Sequence, residues 1–89
     1  MWEEYSGSIE DSREYHERYH RAVNHPIRRR ILKLVSGGIK NLDEIAEKLK
    51  ISREQLEYHV KVLEWGFCVE RRGDVLELTK EGEVVEHLD

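Results

Sequence analysis

Apolar positions recur at helical spacing through most of this chain and change to strand-like runs only near its end. Tyr15, Tyr19, Ala22 and Val23 make one thin stripe on a charged segment, so the spacing predicts a first helix over about residues 9–24 with Ser8 as its cap. A stripe this thin builds little core by itself; it has to pack either on the domain that follows or on a second copy of the chain. Asn24-His25-Pro26 interrupts the pattern, because proline disfavours helical geometry in the residue before it and suits the first turn of a helix. A second helix over about 26–36 follows, with Ile27, Ile31, Leu32, Leu34 and Val35 turned inward and Arg28, Arg29, Arg30 and Lys33 outward. Gly37-Gly38 ends it.

Asn41, with Glu44 three residues later, has the form of a capping box, and Leu42, Ile45, Ala46 and Leu49 make the apolar face of a short helix that stops near Lys50. Ser52 caps again with Gln55 at the third helical position, and Leu56, Val60 and Leu63 repeat at i, i+4 and i+7. Two short helices separated only by residues 50–52 form a helix-turn-helix, in which the first braces the second so that its outer face can enter a major groove. Gly66 terminates the second. Two short runs rich in Val, Phe and Leu, 67–71 and 75–79, then flank Gly73-Asp74 and predict a β-hairpin. Thr79 caps a last helix over about 80–88 that carries Val84, Val85 and Leu88. The fold class is thus mainly α with a small β-hairpin (α+β): a winged helix-turn-helix in 25–89 preceded by a helical segment in 1–24.

The chain has 89 residues, enough for one modest core and little dedicated pocket surface. Its formal net charge of −4 argues against nucleic acid until the charge is counted by segment. Residues 1–24 hold three Arg against six acids and residues 64–89 hold three cations against eight acids, whereas 25–63 hold nine Lys and Arg against five acids. The positive charge is concentrated on the predicted helix-turn-helix. The single Cys68 excludes an internal disulfide and a paired-cysteine metal site, which suits a reducing compartment. No run of apolar residues is long enough for a membrane span, and the acidic start MWEEYSGSIEDS is unlike a secretion signal, so a cytoplasmic location is expected.

The stretch Asn24 to Gly82 resembles the ArsR-like winged helix-turn-helix regulators. The resemblance is carried by NHPIRRRILKLV, LDEIAEKLKIS, REQLEYHVKVLEWGFCV and VLELTKEG in that order and covers about two-thirds of the chain. It implies a sequence-specific transcriptional regulator, a repressor, that binds double-stranded DNA as a homodimer. The helix of about 53–64 would lie in the major groove and the hairpin of about 67–79 on the backbone as the wing. Arg53, Gln55, Tyr58, His59 and Lys61 are the residues assigned to the groove, and Arg71 and Arg72 to phosphates or a minor groove. Terminal helices often form the dimer in this family, which assigns Tyr15, Tyr19, Val23, Val84, Val85 and Leu88 to that interface. The recognition face departs from the family's small polar residues, because Glu54 and Glu57 stand on it. A carboxylate accepts from cytosine but repels phosphate, so each acid lowers general affinity unless it finds a base or a cation.

Two other features carry chemistry. His16-Glu17-Arg18-Tyr19-His20 matches H-E-x-x-H, in which histidines at i and i+4 share a zinc ion and the Glu activates its water. A catalytic zinc needs a third ligand and a cleft, which a chain this short does not supply; no enzyme activity, cofactor or small-molecule effector is expected, and His16 and His20 remain only a candidate regulatory metal pair. His59 is open to two readings, groove contact or a structural position at the edge of the core. Cys68 is read as a small packing residue and Trp65 as core. The rival to DNA binding is a winged helix used as a protein interaction module, suggested by the net charge and by the acids on the recognition face.

Overall fold

The computed structural model describes residues 2–85, with side chains described from 13 to 83. The element order is α1 (Trp2–Val23), α2 (Pro26–Ser36), α3 (Leu42–Leu49), α4 (Arg53–Trp65), β1 (Val69–Arg72), β2 (Val75–Leu78) and α5 (Lys80–Val85). Helix α1 begins six residues before its expected cap and runs through Ser8. A single interior glycine at position 7 costs only about 1 kcal/mol against alanine and does not stop the helix.

Local chemistry fixes the remaining ends. His25 caps α2 by accepting the Ile27 N–H at Nδ1 (3.1 Å), with Pro26 in the first turn. Gly38, at φ 103°, occupies the left-handed position that closes α2. The Asn41 side chain accepts from the Asp43 and Glu44 N–H groups (2.9 and 3.2 Å) at the start of α3, and Lys50, at φ 57°, turns the chain out of its end. Ser52 and Gln55 form a complete capping box on α4. At the far end of α4 the left-handed residue is Phe67 (φ 67°), not Gly66. Gly66 is required for another reason: a β-carbon there would lie 2.3 Å from the Ala22 Cβ and 2.9 Å from the Arg18 carbonyl oxygen, so α1 crosses α4 where no side chain fits.

β1 and β2 pair antiparallel, Val69 opposite Leu78 and Arg72 opposite Val75. A further piece of ladder joins the hairpin to the segment before α3: the Leu76 N–H donates to the Lys40 carbonyl (2.9 Å) and the Leu42 N–H to the Asp74 carbonyl (2.8 Å). The hairpin is therefore tied to the start of α3 as well as following α4. Thr79 caps α5 through the Gly82 N–H (3.2 Å) and its hydroxyl also donates to the Phe67 carbonyl. The last residues of the expected final helix, Leu88 among them, lie outside the described residues.

One core unites these parts. Ile31, Leu42, Ile45, Leu56, Val60, Leu63, Cys68 and Leu76 are fully enclosed, with Ala22 and Val23 of α1 in the same cluster. Each buried Leu, Ile or Val stabilises by about 1.5–3 kcal/mol relative to exposure. Tyr19 packs against this cluster, Tyr15 stacks on Phe67 with ring centroids 4.5 Å apart, and the Tyr15 hydroxyl donates to Glu81 of α5. That bond raises the Tyr15 phenol to about 12 and lowers the Glu81 carboxyl. Of the tyrosine stripe, Val23 is enclosed by its own domain, while Tyr15 and Tyr19 pack on that domain and stay half-buried. Arg28 and Arg29 fasten the same junction, donating to the end carbonyls of α1: Arg28 Nε to Ala22 (2.6 Å), Arg28 Nη2 to Arg21 (3.2 Å) and Arg29 Nε to Val23 (2.8 Å). Three helices with the third on the surface, followed by a two-stranded hairpin, make a winged helix-turn-helix.

Candidate nucleic-acid interface

Leu56, Val60 and Leu63 bury one side of α4, and Leu42, Ile45 and Leu49 of α3 support it from beneath. What remains outward along the first two turns and middle of α4 is Glu54, Gln55, Tyr58 and Lys61, with Tyr58 61% exposed; Glu64 and Trp65 are exposed at its end. Lys50, in the connection that precedes α4, is exposed as well. Gln55 is outward, but its amide oxygen already accepts from the Ser52 N–H (3.0 Å).

His59 is not on this face. It is 8% exposed, and its Nδ1 lies 3.2 Å from Nη1 of Arg28, itself buried, with the His25 ring 4.8 Å away. An arginine can only donate, so the His59 Nδ1 accepts and the ring is neutral. Desolvation, then the neighbouring His25 and Arg28 charges, push its pKa below 6.5. The assignment of His59 to the groove is corrected by this burial: one position before Val60 and three after Leu56, it falls on the inward side of α4.

Arg53 and Arg71 are brought together, and acids close around both. Nε, Nη1 and Nη2 of Arg53 each meet a different carboxylate: Glu57 one turn on in α4 (3.0 Å), Asp43 of α3 (2.5 Å) and Asp74 at the wing tip (2.8 Å). Arg71 grips both oxygens of Glu57, its Nη2 at 3.1 Å, and its Nε donates to the Gly73 carbonyl (2.8 Å). Asp74 stands 3.9 Å from Arg71 as well. The Arg53 guanidinium is held even further above its ordinary value, first by Asp74, and the Glu57 carboxyl is held below its own, first by Arg71. Two arginines against three carboxylates leave the cluster at a formal −1. Arg72 is different: it is exposed, with Glu77 at 3.5 Å as its loose partner.

Residues 24–65 match a helix-turn-helix domain. The match spans α2, α3 and α4, so the helix-turn-helix identified by spacing and caps is the one recognised, while the hairpin and α5 lie past its end. None of the curated proteins matches the chain.

At the end of α4, away from the Arg53 cluster, Trp65 is 41% exposed and not core. The Arg18 guanidinium lies over its ring at 5.0 Å and over Phe67 at 4.4 Å, and Arg18 Nε donates to the Trp65 carbonyl (2.8 Å), so the ring covers the α1 junction from outside. His16 and His20 each meet the edge of the tyrosine before it, at 5.7 and 5.8 Å. Among the described residues no three His, Cys, Asp or Glu side chains are grouped to hold a metal ion. Among them, too, no helix is long and apolar enough to cross a membrane. Cys68 is fully buried and its thiol is pushed up to about 12 by desolvation.

Proposed function

We propose that the chain is a DNA-binding transcriptional regulator of the ArsR-like kind, a cytoplasmic repressor that acts as a homodimer with α4 in the major groove and the β1–β2 wing on the backbone. The observation that carries this is α4 itself: braced by α3, flanked by the wing and lying in the segment that matches a helix-turn-helix domain. Tyr58 and Lys61 are the side chains free to meet base edges and phosphates, Arg72 reaches out from the wing, and Gln55 contributes through the part of its amide not used in the cap. No catalytic step belongs to this function.

For the dimer, the support is an edge of α1. Tyr15 and Tyr19 are only half-buried, and with His16 and Glu81 they line a shallow hollow of about 200 Å³ between α1 and α5 that a second copy would cover. Val23 is enclosed in its own core and contributes nothing further. Val84 and Val85, assigned to the same interface, have side chains outside the described residues, as Leu88 does entirely. Two half-sites about one helical turn apart follow from such symmetry.

The test is fluorescence anisotropy of the purified protein with its own upstream DNA and with an unrelated duplex of equal length, across a salt series. Preference for the upstream DNA by two or more decades, falling steeply with salt, is the result expected of a specific regulator. One observation favours a second function, a protein interaction module: acids already occupy Arg53 and Arg71. Absence of binding to either duplex at low salt would select it.

A further inference from the structure

We infer that Asp43 and Asp74 are specificity-determining residues for DNA, acting as internal substitutes for phosphate that keep Arg53 and Arg71 from binding backbone of any sequence. This rests on the DNA-binding function proposed above. Three features of the cluster point to it. Every nitrogen of the Arg53 guanidinium has its own carboxylate, drawn from α3, α4 and the wing turn, so three of its five N–H donors are committed and its charge is already neutralised before a phosphate approaches. The cluster stands where α4 begins and the wing turns, the strip a duplex backbone would cross, and its charge of two arginines against three acids repels that backbone. Asp43 and Asp74 are also the exposed members, at 73% and 59%, whereas Glu57 is mostly covered between the two arginines. The outer acids are replaceable by solvent or phosphate; Glu57 is the brace that joins wing to helix.

Binding is then an exchange. A phosphate competes with Asp43 and Asp74 for Arg53, so bonds formed to phosphate are offset by carboxylate bonds weakened or lost and by repulsion from the remaining acids. The net gain from backbone alone is small, and bonds to base edges from α4 decide which duplex is held. Nonspecific affinity is lowered more than specific affinity, and the ratio between them rises.

Asp43→Asn, Asp74→Asn and the double variant test this, because each keeps the side-chain shape while removing the charge. Glu83→Gln on α5, outside the cluster, removes an equal charge as a control. Thermal melts establish that each variant folds. Affinity for an unrelated duplex and for the upstream DNA is then measured by anisotropy from low to moderate salt. The exchange predicts roughly threefold to tenfold tighter binding of the unrelated duplex per aspartate removed and a salt slope steeper by about 0.9 for each phosphate gained. The upstream DNA gains less, so discrimination falls, and Glu83→Gln changes neither. If wild type binds DNA and the aspartate variants bind the unrelated duplex no better than Glu83→Gln, the acids are braces only and the inference is overturned while DNA binding stands. If neither wild type nor the double variant binds any duplex at low salt, DNA binding fails and the inference with it.

Discussion

Gly66→Ala adds one methyl group at the place where α1 crosses α4, and the geometry there leaves it no room. The new carbon would sit 2.3 Å from the Ala22 Cβ, 2.9 Å from the Arg18 carbonyl oxygen and 3.4 Å from that of Val62. The two closest neighbours, the Ala22 Cβ and the Arg18 carbonyl, both belong to α1, whose end is pinned by Arg28 and Arg29, so neither yields without moving that helix. Backbone conformation is not the obstacle, since Gly66 has φ −89°, which alanine adopts freely. Overpacking of this kind costs about 1–3 kcal/mol. For a domain of this size that lowers the midpoint by roughly 4 to 24 °C in a melt followed by far-ultraviolet circular dichroism. Ala22→Gly removes the nearest obstacle. Alone it destabilises, by about 0.5–1 kcal/mol for glycine within a helix, but in the Gly66→Ala background it should restore part of the stability, with a coupling of about 0.5–3 kcal/mol. A Gly66→Ala midpoint equal to wild type, or strictly additive effects of the two substitutions, would show that α1 is not seated on α4 in this way.

His59 accepts a hydrogen bond from Arg28 through Nδ1 in the neutral form, and its folded pKa lies below 6.5, so the unfolded chain binds its proton more readily. The stability that depends on neutral His59 is complete above about pH 6.5 and is lost as pH falls from there toward the folded value; denaturant melts should hold nearly level from about pH 7.5 to 6.5 and decline between about 6.5 and 5.5, and a profile flat to 5.5 would contradict it. Cys68, raised to about 12 and buried, should resist alkylation in the native protein near neutral pH and react promptly once denatured; prompt reaction when folded would be inconsistent with its enclosure. Lys61→Ala should leave the melt unchanged and reduce the salt slope of DNA binding by about 1, because its side chain is exposed on α4; an unaltered slope removes it from the phosphate contacts.

What was legible in the sequence is what short-range chemistry decides. Pro26, Asn41 and the Ser52–Gln55 box mark helix starts within a few residues, and the spacing of Leu56, Val60 and Leu63 orients α4 without reference to the rest of the fold. What was not legible depends on approach across the chain. Gly66 reads as a helix stop, yet its lack of a side chain serves α1, far earlier in the chain, and Gly82 likewise allows α5 to meet the Cys68 carbonyl, where a β-carbon would come within 2.1 Å. The pairing of Lys40 and Asn41 with the hairpin is too short to leave a strand pattern. At the interface, the i, i+4 pair Arg53 and Glu57 was visible on one helical face, but Asp43 and Asp74 reach Arg53 only through the fold. For His59 a signal existed: its place among Leu56, Val60 and Leu63 puts it on the inward side, against a buried Arg28 that the sequence offered as a surface cation. In the basic run at 28–30, Arg28 and Arg29 bind carbonyls at the end of α1, partners that hydrophobic spacing does not reveal.

The most direct test of DNA binding through α4 and the wing is a titration of nitrogen-15-labelled protein with its upstream duplex at low salt, followed by the backbone amide shifts. The largest changes should fall on residues 53–61 and 71–74, with α1 from 13 to 20 unaffected by the duplex. Changes centred on Arg18, Trp65 and Phe67, or no change at any amide, would contradict it.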